Sequence, residues 1–421
     1  MIDESWGLLA RERAGLTRRT RGLGLGAAVR AFNELAVPGI GGVWFARPLA
    51  WAVLGIRLAR GRSFSAVSVA NAIEALACWH ARADPDSRVR GRTMLAGVPN
   101  GFVSFREAAR RGFYVTQPMR QGTVQALRGL GLVHEGPQRF NAYQLTEAGE
   151  RLVELAYESF RPKNDAVDAV LAKWIEGGAG VHTESMRAAL DPRAPLPERA
   201  REFLRERVAR WGPDAPRRAA VIAWLRKPDR SASWAERPPL IDVEHWRDLR
   251  VGARFFDLQR AALAVLDGAE AIVRTAGSLR LAEASTEPME PLLEELSARA
   301  SAFLDENHTP VGAENAVAFA TEVRNTDRAA GLRSAVERDG RGLLIDHDRV
   351  LAGPVFRRQP PAPNASKTDD SEDDDGGGTP EPTGALPLPE GISRRVRSLH
   401  TLDLDLDGRL GGWLSGAAEA E

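Results

Sequence analysis

Thr116-Gln-Pro-Met-Arg-Gln-Gly-Thr-Val-Gln-Ala-Leu-Arg-Gly-Leu-Gly-Leu-Val-His-Glu135, followed by Phe140-Asn-Ala-Tyr-Gln-Leu-Thr-Glu-Ala-Gly-Glu-Arg-Leu152, decides the fold of the most legible part of this chain. Thr116 is placed to cap a helix that tolerates Pro118 in its first turn. Along that helix Val124, Leu127 and Leu130 recur every three residues and predict a buried side. Gln117, Gln121, Gln125 and Arg128 fall on the other side, with Arg120 beside them. Leu132–Glu135 reads as a strand, Gly136-Pro137 as a tight turn and Phe140–Leu145 as a second strand. Thr146 then caps a helix over Glu147–Ser159 with Leu152, Val153, Leu155 and Ala156 on its apolar side. Upstream, Ser104-Phe-Arg-Glu107 has capping-box spacing and starts a short helix that stops at Gly112.

Helix, turn, helix, two-stranded ribbon, helix is the order of a winged helix-turn-helix. Tyr143-Gln-Leu-Thr-Glu-Ala-Gly-Glu-Arg-Leu152 resembles the wing strand and following helix of MarR/PadR-type regulators, and Leu127-Arg-Gly-Leu-Gly-Leu-Val133 is similar to the exit from their recognition helix. The resemblance covers residues 97–160 and speaks for fold more than for function. It implies duplex DNA as partner, with Gln117, Arg120, Gln121, Gln125 and Arg128 facing a major groove. Glutamine amides can pair with an adenine edge and arginine with guanine. Arg139, at the ribbon tip, would reach backbone or minor groove. The same face is equally readable as a solvated helix surface, and winged helices also serve as protein-protein modules.

Outward from this module the expected organisation is mainly α: an N-terminal helical region (1–96), the module (97–160), a proline-interrupted connector (161–238), a helical bundle (239–358), a disordered acidic linker (359–391) and a short C-terminal element (392–421). Ser65–Arg82 fits a helix with Val69, Ile73, Leu76 and Cys78 on its apolar side. The linker carries Asp369-Asp-Ser-Glu-Asp-Asp-Asp375 and a glycine triplet, which cannot bury a core. Leu35–Ala59 is the most apolar region, but Arg47 and Arg57 leave an uncharged run far short of the ~20 residues needed to span hydrocarbon. It reads as a buried helix starting near Pro48, so no membrane association is expected.

Overall charge is balanced, 57 Lys+Arg against 57 Asp+Glu, yet unevenly placed. Residues up to Arg128 hold 19 arginines and 8 acids, and the remainder holds the matching acidic excess. Such asymmetry suits an anionic partner, although arginine bias also arises from GC-rich coding. Within 97–160 seven arginines face six glutamates, less basic than a typical DNA reader, and Arg82, Arg88, Arg90 and Arg92 just upstream could make up the difference.

Motifs for chemistry are sparse. A single cysteine excludes an internal disulfide and a Cys-rich zinc site, and no secretory leader is evident in Met1–Ala10, so a cytoplasmic setting is the expectation. No lysine follows a glycine, and G-x-S-x-G and H-E-x-x-H are absent. Cys78, in Ala77-Cys-Trp-His80, reads as a packed thiol. Asp346-His-Asp348 could hold a metal or shuttle a proton but reads better as a solvated loop. Asp403-Leu-Asp-Leu-Asp407-Gly408 begins like a calcium loop and lacks its glutamate at position twelve, where Leu414 stands; alternation predicts a strand.

The expectation is therefore a non-enzymatic, DNA-associated protein without cofactor or metal, a subunit of a multi-component system acting on DNA, antiviral defence among them, with self-association left open. The alternatives are a scaffold subunit whose winged helix binds protein, in a layout loosely resembling the kleisins, and an enzyme with an unrecognised site.

Overall fold

The computed structural model describes residues 23–136, 139–324, 327–356 and 387–416. The acidic linker lies largely outside the described residues, as do residues 1–22 of the expected N-terminal helical region. The described chain is mainly helical. In order, the helices are α1 (Gly26–Ala36), α2 (Arg47–Ala59), α3 (Ala66–Ala81), α4 (Arg92–Ala96), α5 (Phe105–Ala108), α6 (Arg120–Gly129), α7 (Glu147–Tyr157), α8 (Val167–Ile175), α9 (Glu184–Leu190), α10 (Glu198–Arg210), α11 (Ala215–Leu225), α12 (Val243–Ala276), α13 (Met289–Leu304), α14 (Glu314–Val323), α15 (Arg328–Asp339), α16 (Arg394–Leu406) and α17 (Leu410–Leu414). They divide between two compact units, one built on Arg30–Phe256 with the C-terminal residues, the other on Asp257 onward with residues up to Val29.

In the first unit α2 is the central element. All its residues except Arg57 and Ala59 are buried, which explains why Leu35–Ala59 is so apolar. Gly55 lets α3 approach backbone to backbone: a Cβ there would lie 2.6 Å from the Cα of Ala70. Ser65 caps α3 through the Ser68 N–H at 3.1 Å, and Val69, Ile73, Leu76 and Cys78 are buried as the pattern predicts. Among the described residues no helix is long and apolar enough to cross a membrane.

The module around α5–α7 follows its predicted helices with two corrections. The capping box of Ser104 and Glu107 forms, and Thr146 caps α7 through Gly149 N–H at 3.2 Å. Thr116, however, is exposed and does not cap α6. Instead Glu74 reaches across from α3, its carboxylate accepting the N–H groups of Met119 at 2.6 Å and Arg120 at 3.0 Å. The expected ribbon shrinks to one antiparallel bridge, Val133 opposite Leu145, flanked by His134 N–H to Gln144 O at 3.0 Å. Phe140–Ala142 is a 3₁₀ turn rather than a strand. Its side chains explain the change: Phe140 is buried under the Arg120 guanidinium, and Asn141 accepts the Val67 N–H at the start of α3 at 2.9 Å.

The expected C-terminal strand is a helix. Val396, Leu399, Leu402 and Leu406 of α16 are buried, and so are Asp403 and Asp405. A helix enclosed on all sides need not show a 3.6-residue stripe, so leucine-aspartate alternation misleads. Each aspartate has a specific partner: Asp403 takes both Nε and Nη2 of Arg226 at 2.7 Å, and Asp405 accepts the Ala46 N–H at the start of α2 at 2.8 Å.

The second unit contains α13–α15 and a three-stranded antiparallel sheet that the expectation of a pure bundle omitted. Strands β1 (Leu279–Arg280), β2 (Leu343–Asp346) and β3 (Arg349–Ala352) lie in the order β1-β3-β2, with Val350 opposite both Leu279 and Ile345. The strands are too short for periodicity to announce them. Asp346-His347-Asp348 straddles the β2–β3 turn, where His347 is exposed, bonds only Asp346 at 2.8 Å by side chain, and takes a positive φ. Among the described residues no three His, Cys, Asp or Glu side chains are grouped to hold a metal ion.

Candidate nucleic-acid interface

The residues expected to read DNA separate into two groups. Gln125 accepts the Arg395 Nη2–H at 2.7 Å, and the same buried guanidinium pairs with Glu34 at 2.6 Å. Gly122 and Gly129, on the Gln125 side of α6, meet the loop before α2: a Cβ on Gly129 would sit 2.1 Å from the Gly39 carbonyl, and one on Gly41 2.7 Å from the Gly122 carbonyl. Such backbone contact is possible only because both partners are glycine. Arg120 is turned inward as well. Its Nε donates to Asn71 Oδ1 at 2.8 Å, its guanidinium stacks over Phe140 at 4.8 Å, and burial pulls its pKa down. Gln117 and Gln121 are half-buried, and the Gln117 carbonyl accepts from Arg90. Arg128 and Arg139 are exposed. Helix α6 therefore packs as a core element, and only part of its expected reading face meets solvent.

Around it lies charge that a count over 97–160 hides. Residues 88–146 hold nine arginines and two acids, Glu107 and Glu135. The glutamates that lowered the earlier balance sit on α7, where Glu150 pairs with Arg60 at 2.7 Å, Glu154 with Arg151 at 2.9 Å and Glu158 with Arg199 at 2.9 Å. By contrast Arg92, Arg106, Arg110, Arg111, Arg128 and Arg139 are exposed, and among the described residues none has a carboxylate within 4.0 Å. Arg106, Arg110 and Arg111 precede the recognisable helix, so its spacing does not point to them. The signal in the sequence was the scarcity of acids, visible only when the window ends before α7.

Exposed arginines without a carboxylate partner have clear chemistry. Each guanidinium offers a planar fork of donors that fits a phosphate, and few of those donors are spent here: Arg92 gives Nε to the Arg82 carbonyl at 3.4 Å and Arg128 bonds the Tyr143 hydroxyl. The buried arginines do otherwise: Arg47 gives its donors to the carbonyls of Ala189, Ala194 and Pro195, and Arg218 to those of Val208, Pro38 and Trp211. Cys78 is fully buried, and burial pushes its thiol pKa up, away from nucleophilic use. No family model matches this chain, and no curated protein or solved structure gives a significant match to it.

Proposed function

We propose that this chain is a non-enzymatic, nucleic-acid-associated protein that grips the phosphate backbone through the exposed arginines of residues 92–139. On this reading residues 97–160 form a winged helix-turn-helix with a shortened wing, in which α6 serves packing more than base reading. The observation that carries it is the set of six exposed arginines without a carboxylate partner among the described residues, within a stretch that holds two acids. Phosphate contacts supply sequence-independent affinity, and Arg128 and Arg139 from the original expectation join that surface.

The covered face of α6 favours a second reading, a scaffold subunit whose module binds protein. Purified chain, stripped of nucleic acid, should shift the fluorescence anisotropy of labelled single-stranded and duplex oligonucleotides at about 50 mM salt, with affinity falling steeply as salt rises. Absence of binding to either probe would replace the first reading with the second.

A further inference from the structure

Arg92, one of the exposed arginines, borders a compact group of side chains where the end of α3 meets the loop before α5 and the start of α9. Trp79, His80, His182 and Phe102 form a row of edge-on rings: Trp79 to His182 at 5.1 Å, His80 to His182 at 5.4 Å and Phe102 to His182 at 5.2 Å. The row runs from Trp79, which is buried, to Phe102, which is 48% exposed. Arg82 lies over the Trp79 ring at 4.4 Å and donates to the Asn100 side chain, and Arg92 Nε reaches the Arg82 carbonyl at 3.4 Å. Burial first, and then the nearby charge of Arg187 on α9, lowers the pKa of Arg82 and His182, and Arg187 adds to the effects of burial and His182 on His80.

The charge of this group asks for an anion. Among the described residues none of Arg82, Arg92 and Arg187 has a carboxylate within 4.0 Å; nearby Asp84 and Asp191 are held by Arg193, and Asp86 by Arg88. Like charges packed together without a counter-ion repel, and a phosphate among them relieves that repulsion. His182 Nε2 accepts the Val103 N–H at 3.3 Å, which fixes its ring beside Phe102.

We propose that this group is a subsite for single-stranded nucleic acid, in which an unpaired base stacks on Phe102 and its phosphate sits between Arg92 and Arg187. The inference rests on the phosphate-contact reading above and names its substrate class. A stacking ring needs a base out of its pair, and sequence-tolerant stacking beside a cationic groove is how single strands are held. The covered Gln125 side of α6 points the same way, because the major-groove insertion that a duplex reader needs is already occupied by Gly39, Gly41 and Arg395.

The test is anisotropy titration of full-length wild type, Phe102→Ala and Arg187→Ala against labelled 12-mers of oligothymidylate, oligouridylate and a mixed-sequence duplex. Both substituted side chains are substantially exposed, and melting curves confirm that the variants fold. Single strands should bind at least about tenfold more tightly than the duplex. Phe102→Ala should weaken single-strand binding about 5- to 100-fold while changing duplex binding less than about twofold. Arg187→Ala should weaken binding of both single strands too. Equal binding of duplex and single strand, or a Phe102→Ala chain that binds as wild type, overturns this subsite and leaves the phosphate-contact reading standing. No binding to any of the three probes overturns both.

Discussion

Glu74 on α3 accepts the Met119 N–H at 2.6 Å and so starts α6 from forty-five residues away. The same carboxylate takes the Arg120 N–H and the Tyr114 hydroxyl, all in a buried setting. An anion at a helix N-terminus satisfies orphan donors and meets the positive end of the macrodipole. Burial pushes the Glu74 pKa up, and the three donors oppose it.

Glu74→Ala strands three buried donors at once. At roughly 1–3 kcal/mol for each unsatisfied group, it should cost at least about 3 kcal/mol in urea unfolding. Glu74→Gln keeps one acceptor oxygen and should cost less. Equal, small losses for both would mean that the cap contributes little.

Gln125 and Arg128 give the sharpest contrast between pattern and packing. The helical wheel puts both on one polar side, with an expected cost below about 0.5 kcal/mol for removing either. The contact of Gln125 with the buried Arg395 changes that: Gln125→Ala should cost about 1–2 kcal/mol, and Arg128→Ala should stay below about 0.5 kcal/mol. Chemical denaturation of the two variants side by side decides it.

Acid should unfold the chain partly through His80. Burial first, then the charges of His182, Arg187 and Arg82, hold its pKa down to about 3, whereas an unfolded imidazole titrates near ~6.5. The unfolded chain therefore binds more protons between those values. The His80 contribution is complete above pH ~6.5 and is lost as pH falls toward 3. Glutamine can keep the donation that His80 Nε2 makes to the Val181 carbonyl at 3.1 Å without titrating. Between pH 7 and 4.5 the melting temperature of wild type should fall more than that of His80→Gln; parallel curves would remove His80 from the account.

Helix α16 should be indispensable to its unit. Val396, Leu399, Leu402 and Leu406 are each at most 1% exposed, and burying four such side chains is worth about 6–12 kcal/mol. That rivals the whole stability of a typical domain, about 5–15 kcal/mol. A chain ending at residue 391 should lose the cooperative thermal transition of the first unit, and Leu399→Ala alone should cost about 2–5 kcal/mol. A truncated chain that melts like wild type would show that α16 packs only peripherally.

What could be read from the sequence was local, and what escaped it was long-range. Ser65, Ser104 and Thr146 announced their helices because a cap and its N–H lie within three residues of each other. Thr116 misled because the true cap of α6 comes from Glu74, and the wing strand failed because Phe140 and Asn141 found partners in Arg120 and Val67. Leucine-aspartate alternation over 402–407 was read at period two, but burial on every side of α16 removes any period. For the candidate interface, spacing puts Arg128 on the surface and the family resemblance puts Arg139 there, and both are exposed. Spacing fails for Arg120 and Gln125, since the wheel cannot know that Asn71 and Arg395 face them. Arg187 and His182, distant in sequence from Phe102, left no trace in any motif.

The central claim, phosphate contact by exposed arginines, is tested most directly by a salt slope. Wild type and the Arg106→Ala/Arg111→Ala/Arg128→Ala/Arg139→Ala variant would be titrated with a labelled single strand and a labelled duplex at several salt concentrations. The logarithm of the binding constant should fall more gently with the logarithm of salt in the variant, by about 0.7 per lost contact on the single strand and about 0.9 on the duplex. Thermal stability should hardly change, because these four side chains are exposed. A variant with the wild-type slope and affinity on both probes would contradict the account.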